Sequence, residues 1–184
     1  MIGIFIGSFN PPTMAHLSIA FKLKDRFKKI VFVPVNTNEK HLASMRDRCD
    51  MLNCLKRKYP FILIDDLMDN YSYLNYRIVD ILKRKYHDIE LIIGSDLLEK
   101  LDKFENFKYL VSSYSFMVIT RDNIDVEKII GEKYAEYQNN FHLLEYNCEI
   151  SSSMVREKIK NKEDVKDILD HDVYLYIKNK HLYF

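Results

Sequence analysis

Six short apolar runs punctuate the chain: Ile2 to Ile6, Ile30 to Val35, Phe61 to Ile64, Leu91 to Ile93, Phe116 to Thr120 and Phe141 to Leu144. Each is rich in β-branched or aromatic residues, of strand length, and nearly continuous rather than alternating. That is the pattern of strands covered on both faces, as inside a parallel sheet. Between them lie polar stretches with apolar residues at helical spacing. Leu17, Ala20, Phe21, Leu23 and Phe27 define one face, and Met45, Cys49, Leu52, Leu55 and Tyr59 another. Leu74, Ile78, Ile81, Leu82 and Tyr86 form the most regular face. Strands alternating with helices predict an α/β fold with a parallel sheet wound on both sides.

The last part of the chain changes character. Ser151 to Lys160 reads as a serine-capped helix and Asp172 to Asn179 as another, with little strand signal afterwards. The expectation is one Rossmann-like domain: a doubly wound sheet core over residues 1–148 and a small helical appendage, residues 149–184, on the sheet edge. Asn36 to Ser44 is polar and without periodicity, and reads as a loop. A length of 184 residues fits a single domain at roughly 150 residues each.

Composition narrows the function. With 28 Lys+Arg against 27 Asp+Glu the net charge is +1, so there is no global basic field to draw nucleic acid. The glycines are Gly3, Gly7, Gly94 and Gly131, four against an expected ~13 at about 7% usage. None is followed by lysine and no three have dinucleotide-loop spacing, which excludes a Walker A loop and a glycine-rich fingerprint. Cys49, Cys54 and Cys148 make neither a disulfide framework nor a zinc site, and fit a reducing compartment. The N-terminus reads as a first strand rather than a signal peptide, and no apolar stretch approaches the ~20 residues of a membrane span. A soluble cytoplasmic protein is expected.

Ligands of open parallel sheets bind beyond the carboxyl ends of strands, and three strand-to-helix turns carry unusual residues. The first is Gly7-Ser8-Phe9-Asn10-Pro11-Pro12-Thr13-Met14-Ala15-His16-Leu17. Its prolines stiffen the loop, and a helix beginning at Thr13 or its neighbour puts His16 in the first turn, at the positive end of the dipole. An imidazole there can bond a phosphate oxygen, with Thr13 on the same face; taken singly, Thr13 is equally a helix cap and His16 a surface histidine. The next is Leu91-Ile92-Ile93-Gly94-Ser95-Asp96, where Gly94 admits a ligand close to the backbone and Asp96 can accept from ribose hydroxyls or cap a helix. The last is Ile150-Ser151-Ser152-Ser153-Met154-Val155-Arg156, whose hydroxyls, helix-start amides and guanidinium compose an oxyanion cradle. Asp65-Asp66 and the remaining histidines read as solvated or structural.

The string from Gly7 to His16 resembles the G-x-F-x-P-x-[HT]-x-x-H signature of the nucleotidyltransferase superfamily of adenylyl- and cytidylyltransferases, with Ala15 at a usual glycine and Asn10 at a commoner aspartate. Ile150 to Arg156 resembles the I-S-S-[ST]-x-x-R motif of the same superfamily. Ile92 to Asp96 is similar to the I-I-G-x-D segment of bacterial nicotinate mononucleotide adenylyltransferases. Looser likenesses to that group follow: Lys40-His41 for P-H-[KR], Ser72-Tyr73 for Ser-Tyr-Thr with Leu74 at the threonine, Lys103-Phe104 for Lys-Trp, and Tyr176 to Tyr183 for Y-I-x-x-x-x-L-Y.

The resemblance implies transfer of AMP from ATP to nicotinate or nicotinamide mononucleotide, giving the dinucleotide and pyrophosphate in NAD biosynthesis. It assigns catalysis to His16, Thr13 and Arg156. ATP falls to Gly7, Ser8, Phe9, His16, Gly94, Asp96, Ser151, Ser152 and Arg156, and the mononucleotide to Ser8, Phe9, Asn10, Lys40, His41, Tyr73 and Phe104. Mg²⁺ is expected to be held mainly by substrate phosphates, with no dedicated protein metal site. Neither a nucleic-acid nor a membrane partner is expected. Two alternatives stay open: a phosphopantetheine adenylyltransferase, which shares both terminal motifs, and a catalytically silent nucleotide-binding regulator.

Overall fold

The computed structural model describes residues 1–36, 43–67, 75–120 and 124–184. Six parallel strands, β1 (Ile2–Gly7), β2 (Ile30–Pro34), β3 (Ile62–Ile64), β4 (Ile89–Gly94), β5 (Ser115–Thr120) and β6 (Phe141–Glu145), form one sheet in the order β3-β2-β1-β4-β5-β6. They coincide with the six apolar runs. Ile4 of β1 pairs with Val31 on one side and Leu91 on the other. The strand order therefore reverses at β1 and β4, and their carboxyl ends diverge to leave a crevice.

Alternate strand residues face opposite sides and divide the core in two. Ile4, Ile6, Val31, Val33, Leu91, Ile93, Phe116 and Val118 face one layer, with Ile78 and Leu82 of α3 (Tyr76–Tyr86) and Val111 of α5 (Phe107–Ser113). Phe5, Ile30, Phe32, Ile92, Met117 and Ile119 face the other, with Leu17 of α1 (Met14–Leu23) and Leu52 of α2 (Met45–Lys58). Gly3 is required where α1 runs onto the sheet: a Cβ there would lie 2.7 Å from Ile92 Cδ1 and 2.9 Å from the Phe27 ring.

Several expectations are corrected. The C-terminal helices α7 (Ser152–Lys160) and α8 (His171–Lys180) do not sit on the sheet edge. Val155, Ile159, Val173 and Ile177 belong to the same core layer as Phe5 and Ile92, and α8 lies against α2. The buried face of α2 is Arg48, Met51, Leu52, Cys54 and Leu55, rotated from the face drawn through Cys49. Strand β6 ends the sheet order, and of its residues only Phe141 is fully buried, with Leu144 partly so. Helices α4 (Ser95–Leu98), α5 and α6 (Val126–Lys133) have four, seven and eight residues, too short to display a hydrophobic period.

At the amino end of β4, Glu90 is wholly buried. Arg26 meets its carboxylate in a fork, with Nε to Oε2 at 2.9 Å and Nη2 to Oε1 at 3.0 Å, and His142 Nδ1 lies 2.6 Å from Oε1. Among the described residues no helix is long and apolar enough to cross a membrane.

Candidate active site

Each wall of the crevice grows from a strand ending or a helix beginning. Strand β1 ends at Gly7, and the turn that follows carries Phe9 at φ 46°, in the left-handed region that costs a bulky residue about 1–2 kcal/mol. Phe9 is held there by burial, its ring lying 5.4 Å from Phe5, 5.0 Å from Phe32 and 5.1 Å from His16 between centroids. Thr13 is the N-cap of α1 and His16 its third residue.

This cap decides the chemistry of the imidazole. The Thr13 backbone N–H donates to His16 Nδ1 at 3.0 Å, and Thr13 Oγ1 lies 2.9 Å from the same nitrogen. A backbone N–H can only donate, so Nδ1 is the acceptor. The neutral ring then carries its proton on Nε2, which makes His16 a donor toward the crevice it lines.

Strand β4 ends at Gly94, the N-cap of α4, with the exposed Asp96 in its first turn. A Cβ on Gly94 would lie 2.5 Å from Asp96 Oδ1, so any side chain there would displace the carboxylate. Opposite, Ser151 caps α7 by accepting from the Met154 N–H at 3.1 Å. Ser152 Oγ donates to the Pro11 carbonyl and Arg156 Nη1 to the Asn10 carbonyl, both at 2.8 Å, and Arg156 Nη2 donates to Ser153 Oγ at 3.2 Å. The two ends of the chain thus close on one another.

Between these walls lies a cleft of 270 Å³. Gly7, Ser8, His16, Gly94, Asp96, Ser151, Ser152 and Arg156, all named as site residues from sequence, line it together with Ser153, Val35 and Ile119. Other expectations are corrected. Phe9 and Asn10 are wholly buried and Thr13 is 2% exposed, so all three stand behind the wall. Phe9 packs, Thr13 orients His16, and Asn10 Oδ1 accepts from the Ala43 N–H and the Tyr183 hydroxyl at 3.0 and 2.7 Å. Ser152 spends its hydroxyl proton on Pro11, so it is not a donor toward the cleft in this arrangement. Phe104 is half-buried against the core layer of Leu101 and is not part of the cleft wall. Lys40, His41 and Tyr73 lie outside the described residues.

Two residues around the site have roles that the sequence reading did not give. Arg48, 1% exposed, donates to the Ser8 and Val35 carbonyls at 2.8 Å each. The signal was present, since Arg48 falls one turn before Met51 and Leu52 on the buried face of α2. Tyr183 closes the tail likeness read from sequence, but its partner Asn10, 173 positions away, could not be read from it. Burial raises the Tyr183 phenol above its ordinary value and keeps it a donor.

The chemistry of the cleft is that of a polyanion site with a hydroxyl-reading end. Arg156, the His16 donor and the starts of α1 and α7 converge from one side, and Asp96 is the single carboxylate among the described lining residues. Among the described residues no group of three metal-ligating side chains forms.

The chain is similar to known proteins. The cytidylyltransferase-like family pattern matches residues 4–158. A probable nicotinate-nucleotide adenylyltransferase of Acholeplasma laidlawii is 30% identical, over 100% of this chain and 97% of its own. One from Clostridium acetobutylicum is 31% identical, over 98% and 97%. In fold, the chain is similar to Plasmodium falciparum nicotinic acid mononucleotide adenylyltransferase complexed with NaAD, with a TM-score of 0.77 at 23% identity over 99% of this chain and 96% of that one. The chain belongs to the cytidylyltransferase-like family, in the branch of the nicotinate-nucleotide adenylyltransferases.

Proposed function

We propose that the protein transfers AMP from ATP, taken as its magnesium complex, to nicotinate mononucleotide, giving the dinucleotide and pyrophosphate. The mononucleotide phosphate is already an anion at neutral pH, so no base is needed to create a nucleophile. One of its oxygens forms a bond to the α-phosphorus as the bond from that phosphorus to the bridging oxygen of pyrophosphate breaks. The obstacle is charge repulsion between two polyanions, and positioning with charge stabilisation meets it. Magnesium, when bound, neutralises part of the triphosphate charge.

The residues divide this work. His16 Nε2–H donates to an α-phosphate oxygen and strengthens its bond as charge builds there. Arg156 faces the departing pyrophosphate with a charge spread over its whole fork, whichever carbonyl one N–H holds, and the first amides of α7 add donors. Asp96 accepts from the ribose hydroxyls of ATP, which Gly94 lets approach. Ser8 borders the acceptor.

The observation that carries the reading is the closure of α7 on the β1–α1 turn through Ser152–Pro11 and Arg156–Asn10, which sets His16 and Arg156 on one cleft. The full-length likeness to the bacterial enzymes supports the choice of acceptor. Pyrophosphate release is measured with Mg-ATP and, in turn, nicotinate mononucleotide, nicotinamide mononucleotide and phosphopantetheine. Turnover is expected to be fastest with the first. Faster release with phosphopantetheine, or nucleotide binding without release on any acceptor, would overturn the assignment.

A further inference from the structure

The left-handed Phe9 is gripped from both sides by residues that do not line the cleft. On one side Arg48 Nη1 donates to the Ser8 carbonyl at 2.8 Å; on the other the Tyr183 hydroxyl donates to Asn10 Oδ1 at 2.7 Å. The two grips are joined through one residue, Ala43. Arg48 Nε donates to the Ala43 carbonyl at 3.2 Å, and the Ala43 N–H donates to Asn10 Oδ1 at 3.0 Å. Asn10 Nδ2 is buried with no hydrogen-bond partner, so the amide is held through its oxygen alone. Arg48 also takes the Val35 carbonyl and Asn36 Oδ1, both at 2.8 Å, and so ties the carboxyl ends of β1 and β2 to the start of α2.

We propose that Arg48 is a positioning residue for the acceptor side of the cleft, acting through the Ser8 carbonyl and the backbone of Ala43, with Tyr183 as a further latch on Asn10. The proposal rests on the reading that the mononucleotide lies against Ser8. A guanidinium is needed because its donors sit on three nitrogens of a rigid plane and reach acceptors on separate elements. A lysine has its three donors on one nitrogen and cannot span them. The ATP side has anchors that do not pass through Arg48: the Thr13–His16 cap and the Ser152–Pro11 contact of α7. Loosening Arg48 should therefore tilt Ser8 and leave the triphosphate wall in place.

The test begins with wild-type turnover on ATP and nicotinate mononucleotide, whose absence would sink the functional reading itself. Arg48→Lys is then expected to raise the acceptor KM at least tenfold and to lower kcat, while the dissociation constant of a non-hydrolysable ATP analogue, measured by calorimetry, stays within threefold. Tyr183→Phe, which removes one hydroxyl from an otherwise intact protein, should move the acceptor KM in the same direction by at least threefold. Unchanged acceptor KM and kcat with a lowered Tm would show a merely structural role and overturn the proposal. So would an equal loss of ATP affinity. If Arg48→Lys does not fold, the Tyr183→Phe result decides alone.

Discussion

Arg156 and Asn10 meet across 146 positions of sequence, the guanidinium donating at 2.8 Å to a backbone carbonyl of the turn that precedes His16. The same side chain therefore both shapes that turn and faces the cleft it encloses. This dual attachment makes Arg156 informative to remove. Arg156→Ala is expected to weaken ATP binding by at least tenfold, since a charged hydrogen bond contributes about 1.5–3 kcal/mol. Calorimetric titration with ATP checks it, and an unchanged affinity would take Arg156 out of the triphosphate site.

His16→Ala should lower kcat by more than about a hundredfold, the scale for losing one donor aimed at developing charge. The variant also loses the acceptor of the Thr13 N–H, so about 1 kcal/mol of stability should go with it. Rates are therefore compared per folded molecule, with circular dichroism fixing the folded fraction. Near wild-type turnover would remove His16 from the mechanism.

Stability and activity should separate at the far end of β4. Arg26→Leu leaves the wholly buried Glu90 with His142 and no arginine fork, at an expected cost of about 2 kcal/mol, below a fully buried pair because Arg26 reaches solvent. Urea denaturation measures the loss. The kcat of folded protein should be unchanged, since four steps of extended strand, about 13 Å, separate Glu90 from Gly94.

Alkaline pH should expose the tyrosine hydrogen bonds. Burial, with donation to neighbouring carboxylates, raises the phenols of Tyr86, Tyr114 and Tyr176, and burial raises Tyr183, each from an ordinary 10.0. A raised folded value means that the folded state holds the proton more tightly. The resulting stability is complete below pH 10 and is lost as pH climbs from 10 toward the folded values. Thermal unfolding followed from pH 8 to 11 should show a flat Tm, then a fall above pH 10 that is shallower in Tyr183→Phe. An equal fall in both proteins would remove Tyr183 as a contributor.

Much of this molecule is legible in its order of residues, for physical reasons. A strand buried on both faces must be apolar throughout, and Val31 to Val33 or Leu91 to Ile93 advertise that directly. Glycine at Gly94 and serine at Ser151 mark where backbone must come close or a helix must start. Direction is what spacing withholds. Phe9, Asn10 and Thr13 lie within the motif yet turn away from the cleft, because the left-handed backbone at Phe9 and the cap at Thr13 point them inward. Arg48 carries a charge, the usual mark of an outward face, although its neighbours at helical spacing are core residues. Tyr183 stands in the tail motif, but its contact with Asn10, 173 positions away, is a fact of tertiary packing that neither local sequence states.

The lateness of α7 in the chain has a consequence for synthesis. The wall that answers His16 is made only when residues 152 to 156 have left the ribosome, after all six strands. A nucleotide in the cell therefore meets only the His16 and Asp96 side of its site while the sheet is being laid down. Full ligand binding stabilises the finished fold, by mass action on the native state, and the early strands must find their register chiefly on hydrophobic contacts.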